Sequence, residues 1–181
     1  MRAFIAFPLP EGAAQTVWSA TMGLRNQLQG VKWVLPVHMH VTLYFLGEID
    51  TARAEGIMER MKDRSWIRPV IEVSYSGVSG FPEKGRARVL VARIERGRNE
   101  CAEYHARLRG LFIDNPPKTP FSPHITIGRA RSPHGGLAPD GFAGAEISGA
   151  FPIARCVLFQ SVLTPAGPIY RELTAVDFSE E

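Results

Sequence analysis

The sequence predicts an α+β fold in which one supersecondary unit occurs twice, giving two mainly antiparallel sheets, flanked by helices, around a central cleft. Three observations carry this expectation. Runs that alternate apolar and polar residues, as strands do, are interleaved with runs whose apolar residues recur at helical spacing. The tetrapeptide His40-Val41-Thr42-Leu43 returns 84 residues later as His124-Ile125-Thr126-Ile127. The order strand, helix, proline-containing approach precedes both copies, which is how a duplicated unit shows itself when residue identity between the halves is low.

Residues 2–7 (RAFIAF) form the first strand, and 11–28 a helix with Ala13, Val17, Ala20, Leu24 and Leu28 along one side, closed by Gly30. The extended piece KWVLP leads into the His40 strand, which ends at Gly47-Glu48, and residues 51–61 form a second helix with Ile57, Met58 and Met61 facing inward. Segments 70–78 and 87–95 make a hairpin across the turn-rich FPEKG. Residues 98–112 are a third helix, whose apolar stripe is Cys101, Tyr104, His105, Leu108, Leu111 and Phe112. The proline-rich DNPPKTPFSP precedes His124, and RSPHGGLAPDGFAG after it reads as a mobile surface loop. ARCVLFQSVL and PIYRELTAVDF supply two last strands, and no linker divides the chain, so residues 1–181 form one domain.

A chain of 181 residues that is 45% hydrophobic can bury a substantial core. Its two cysteines, Cys101 and Cys156, have neither a disulfide framework nor a zinc-finger spacing and read as small buried hydrophobes in a reducing, cytoplasmic compartment. The N-terminal apolar run is broken by Pro8 and Pro10 and is too short for a signal segment or a membrane span. The net charge is only +3, yet 17 of the 21 basic residues are arginine, which suits bidentate contacts to phosphate oxygens. No basic block resembles a DNA-binding arm.

On a strand, His40 and Thr42 share one face while Val41 and Leu43 share the other, and the same holds for His124 and Thr126. Pseudo-two-fold packing of the two units would turn both polar faces onto one groove. Two imidazoles that titrate near neutral pH can divide the work of acid and base, which is what attack on a phosphodiester needs on opposite sides of phosphorus. The threonine hydroxyls can donate to non-bridging oxygens as charge builds. So small a set suits a strained 2',3'-cyclic phosphate better than a linear diester.

The tetrads HVTL and HITI, with FIAFPLPEG, VKWVLPVHMHVTLYFLGEI, PFSPHITIGRAR and VLFQSVLTPAGPIYREL around them, resemble the 2H phosphoesterases. They are most similar to the branch of RNA 2',3'-cyclic phosphodiesterases, also called 2'-5' RNA ligases, over nearly the whole chain. That resemblance implies a bilobal fold around the cleft. It also implies hydrolysis of RNA 2',3'-cyclic phosphate ends, including those of tRNA fragments, to 2'-phosphates without metal or cofactor. It makes His40 the proton donor, His124 the proton acceptor, and Thr42 and Thr126 phosphate-binding, with 2'-5' ligation as a side activity. Arg129 matches an arginine often found after the second tetrad and is expected at the phosphate, with Arg131 close by. The arginine often found directly after the first tetrad is replaced here by Tyr44.

Competing readings attach to several residues. His38 shares the face of His40, as in an H-x-H metal pair, but Tyr44 and Phe45 stand where a glutamate ligand would be needed. A metal-dependent phosphoesterase would need carboxylates near the tetrads, and Glu48 and Asp50 are the nearest. His105 reads as a packed structural histidine. His134 in the loop 132–144 reads as solvated, or as touching RNA from above the cleft. Trp33 and Phe121 precede the tetrads and are placed to stack on a base or to pack in the core, the latter being the expectation for Trp33. A phosphodiesterase of small cyclic nucleotides and a non-catalytic RNA-binding module are the other functional readings, and nothing in the sequence demands more than a monomer.

Overall fold

The strands of the protein come together in one curled antiparallel sheet. The computed structural model describes residues 1–67, 69–112, 120–132, 136–165 and 167–178. Along the chain lie β1 (Arg2–Pro8), α1 (Glu11–Ala20), α2 (Met22–Gln27), β2 (Val31–Trp33), β3 (His40–Glu48), α3 (Thr51–Lys62), β4 (Ile71–Phe81), β5 (Val89–Ile94), α4 (Arg98–Phe112), β6 (His124–Ala130), β7 (Ser148–Ile153), β8 (Arg155–Thr164) and β9 (Gly167–Asp177). The sheet order is β7-β4-β5-β6-β3-β1-β8-β9, with β2 paired to β6. The fold is α+β, as the sequence predicts.

The duplication is written into this order. β1 lies beside β3 and β5 beside β6, so the strand before each tetrad flanks the tetrad strand in both halves. The two sheets expected from the sequence are the two halves of a single sheet. They join where Val41 pairs with Ile125, and β2 covers the rest of that edge of β6 by pairing with Gly128–Ala130.

Apolar residues of the helices cover one face of the sheet. Val17, Ile57, Met61, Cys101 and Leu108 pack with Ile5, Phe7, Val41 and Ile125 in the main core. The opposite face carries a smaller cluster of Phe4, Ala6, Val157 and Phe159. Cys101 and Cys156 are buried and unpaired, and burial pushes the Cys101 thiol up to about 12.

Three local expectations change. The helix expected over 11–28 is two helices, because the Thr21 hydroxyl donates to the Trp18 carbonyl at 2.9 Å and the backbone turns there to φ −82°, ψ 2°. β7 went unrecognised because Gly149 and Pro152 disguise it; a proline is tolerated there because β7 is an edge strand paired only with β4. The loop after β6 is not wholly a surface feature, since Leu137 and Phe142 are buried in the main core. His134 and residues 114–119 of the proline-rich stretch lie outside the described residues. No helix among the described residues is long and apolar enough to cross a membrane.

The short strand β2 closes onto the tetrad strand through a glycine. A Cβ at Gly128 would come within 2.7 Å of Val31 Cγ1 and 3.3 Å of Trp33 Cε3. Gly128→Ala is therefore expected to cost about 1–3 kcal/mol through overpacking, measured as a lowered midpoint in urea unfolding.

Candidate active site

Both tetrad strands present their histidine and threonine to the same face because the residues between them are claimed by the core. Val41 and Ile125 are fully buried, while His40, Thr42, His124 and Thr126 remain partly accessible on the other side. A register shift then follows each tetrad. On β3, Thr42 faces Ala6 and Tyr44 faces Ile5, so Leu43 and Tyr44 turn toward the core in succession. On β6, Thr126 faces Val91 and Gly128 faces Leu90, with Ile127 as the extra residue.

These matched bulges reverse the strand alternation beyond the tetrad. Strict alternation would send Arg129 toward the core with Ile127. The bulge instead turns it into the cavity beside His40 and Thr126. Its counterpart in the first copy is Phe45, which lines the cavity and stacks on Phe4 at 5.6 Å between ring centroids. Tyr44 is 2% exposed and takes no part in the cavity wall.

Each imidazole is anchored in the same way. His40 Nδ1 lies 2.7 Å from the His38 carbonyl oxygen, and His124 Nδ1 lies 2.8 Å from that of Ser122. A carbonyl only accepts, so Nδ1–H is the donor in both, and Nε2 is left as the nitrogen that takes or gives a proton. His40 is braced further by Phe4 at 5.0 Å and by the edge of Tyr170 at 5.5 Å. His124 has Phe81 at 5.0 Å.

The cavity holds about 590 Å3 and is lined by His40, Thr126 and Arg129, with Arg2 and Lys32 at its edge. Its wall carries no acidic residue, and none of the three cations pairs with a carboxylate among the described residues. Such a site favours an anion. His124 and Thr42 are not part of the cavity wall itself. Arg131 is spent on the fold, donating from Nε to the Val31 carbonyl at 3.2 Å.

The charges of the site act on its histidines. Burial lowers His40 to about 4, helped by the positive charge of Arg129 and by His124 and His38, while its bond to the His38 carbonyl pulls the other way. His124 is also lowered, mainly by burial, with Arg129 adding to the effect and the Ser122 bond opposing it. The two carboxylates nearest the tetrads are engaged elsewhere. Asp50 caps α3 by accepting from the Arg53 amide at 2.7 Å, and Glu48 lies 3.5 Å from the N-terminal ammonium. His38 lines the cavity edge-on to Tyr170 at 5.1 Å.

Trp33 lines the cavity, whereas Phe121 stacks on His105. Sequence reasoning missed Tyr170, Phe4, Phe45, Arg2 and Lys32 as cavity residues. Their convergence depends on β1 pairing with β3 and β8, β8 with β9 and β2 with β6, which no local pattern announces.

Residues 7–91 match the family model described as LigT like phosphoesterase. An RNA 2',3'-cyclic phosphodiesterase of Archaeoglobus fulgidus is 31% identical over 180 residues, covering 96% of this chain and 98% of the relative. The chain belongs to this phosphoesterase family. A second relative of the same name, from Thermotoga maritima, is 29% identical over 98% of this chain and 96% of its own. Among solved structures, a protein of Thermus thermophilus superposes with a TM-score of 0.78 at 26% identity, covering 100% of both chains. Escherichia coli LigT superposes with a TM-score of 0.75 at 18% identity over 99% of this chain and 98% of its own, which establishes the family fold.

Since both histidines are held below their ordinary value of 6.5, the singly protonated pair is most populated on the acid side of that value. In the profile of kcat/KM, which reports the free enzyme, the optimum is expected below pH 6.5, with a fall toward pH 8 as the last imidazolium is lost. A bound phosphate raises both groups, so the optimum of kcat is expected at higher pH; steady-state kinetics across pH 4–9 checks both limbs.

Proposed function

We propose that the protein hydrolyses the 2',3'-cyclic phosphate at an RNA end to a 2'-phosphate by two-histidine acid and base catalysis. The observation that carries this reading is the twin anchoring of His40 and His124 through Nδ1 to a backbone carbonyl two residues upstream, which frees Nε2 of each. The relatives named RNA 2',3'-cyclic phosphodiesterase supply the substrate class.

Water attacks phosphorus as His124 Nε2 takes its proton. The bond from phosphorus to O3' breaks, and His40 Nε2–H gives its proton to that oxygen, leaving a free 3'-hydroxyl and a 2'-phosphate. Thr42 and Thr126 donate their hydroxyl hydrogens to the non-bridging oxygens, and Arg129, on the cavity wall, binds the same phosphate. If a 5'-hydroxyl replaces water, the same groups seal a 2'-5' linkage. The protein acts as a cytoplasmic monomer on RNA fragments, tRNA fragments among them, and needs neither metal nor cofactor.

The deciding test is hydrolysis of a short RNA ending in a 2',3'-cyclic phosphate, in EDTA. His40→Ala and His124→Ala should each lower kcat by about two to four orders of magnitude with a 2'-phosphate as the wild-type product. Loss of turnover in EDTA, or survival of activity in either variant, would overturn the mechanism.

Arg129→Ala removes one of the cavity's cations. It is expected to lower kcat/KM by about one to three orders of magnitude, since a charge-assisted contact to the reacting phosphate is lost. The same substitution should shift the acid limb of the kcat/KM profile upward, because Arg129 depresses both imidazoles.

A further inference from the structure

Three side chains that the mechanism leaves unused meet in one stack. Tyr44 follows the first tetrad, His105 lies on α4, and Phe121 stands three residues before His124. The Tyr44 and His105 rings are 4.2 Å apart and within 10° of parallel. The His105 and Phe121 rings are 4.2 Å apart and within 9° of parallel. The Tyr44 hydroxyl lies 3.3 Å from His105 Nδ1, within hydrogen-bond distance. His105 is thus the middle ring of a three-ring sandwich that ties the flank of one tetrad to the flank of the other.

The consequence lies one residue beyond Phe121. Ser122 supplies the carbonyl that receives His124 Nδ1–H, yet Ser122 itself is exposed. Its neighbours hold it: Phe121 by the stack, and Pro123 by burial and by a carbonyl that accepts from the Ile94 amide at 3.3 Å. The first half needs no such stack. There the 3-10 turn at Pro36–His38 fixes the His38 carbonyl, with His38 N–H donating to Leu35 and Met39 N–H to Pro36.

We propose that His105 is a positioning residue for the reaction: its ring, braced by Tyr44, clamps Phe121 and so keeps the Ser122 carbonyl aimed at His124. The clamp sets the tautomer of His124 and the direction of its Nε2. Tyr44, 2% exposed, serves as the fixed jaw on the core side. The proposal rests on the two-histidine reading above.

The test compares wild type, His105→Ala and His105→Phe, with circular dichroism confirming the fold of each. His105→Ala should lower kcat by about ten- to a hundredfold, as expected when a reacting group is misplaced, while KM changes less than about threefold. His105→Phe restores the stacking ring without the nitrogen and should recover most of the loss. The ring of His124, followed by long-range nitrogen–proton NMR, should report the Nδ1–H tautomer in the wild type and in His105→Phe, and a mixture in His105→Ala. Retention of the Nδ1–H tautomer in His105→Ala overturns the proposal whatever the activity does, as does a His105→Phe enzyme as impaired as His105→Ala. A lost tautomer with wild-type turnover would instead overturn the two-histidine reading.

Discussion

The pairing of Val41 with Ile125 at the junction of β3 and β6 is the constraint on which the site depends. Both residues are fully buried, and each stands between the histidine and threonine of its tetrad. Strand side chains alternate with a period of two, so burying this one apolar pair turns four polar side chains to the opposite face. A slip of one residue would carry His40, Thr42, His124 and Thr126 into the helix-packed core, where their desolvation would oppose folding. The hydrophobic effect thus places the catalytic candidates without acting on them directly.

The duplication supplies two similar imidazoles, whereas acid and base catalysis needs two different ones. The surroundings provide the difference. His40 sits against Phe4 and Tyr170, and Phe4 is in turn stacked on Phe159 at 5.1 Å, so one side of the site is aromatic. His124 faces Arg93 across the strand pair, and Arg93 is bound to Ser79 and to Glu83 at 2.7 Å and 2.6 Å. A matched bulge then delivers an arginine to the cavity from one copy and a phenylalanine from the other. The same backbone device carries opposite chemistry in the two halves.

How much of this was legible in the sequence follows from the range of the forces involved. The strands, the helices α3 and α4 and the pairing of the tetrads could be read because periodicity and repetition are local signals. The break at Thr21 could not, since it depends on one hydroxyl competing for a helical carbonyl. β7 was hidden by Gly149 and Pro152, which only edge placement excuses. Arg129 was assigned through a resemblance, and alternation alone would have pointed it the wrong way, because a bulge is invisible in a sequence whose flanks are equally apolar. Phe121 and His105 each had a reasonable individual reading, and only the contact between them gave those residues a shared role.

The electrostatics of the free site also bear on which histidine does what. His40 is held down to about 4, chiefly by burial, and His124 is lowered too, mainly by burial. Taken alone, that burial opposes the donor role that family resemblance gives His40. The substrate resolves the conflict in part. A cyclic phosphate carries one negative charge, and bound as proposed, beside Arg129 and His40, it would cancel the repulsion from the guanidinium and attract a proton to the His40 Nε2. His40, packed against Phe4 and Tyr170, would feel that charge strongly, because attraction in a low-dielectric site is stronger. Binding would therefore favour the protonated, donor state of His40 where the leaving oxygen needs it.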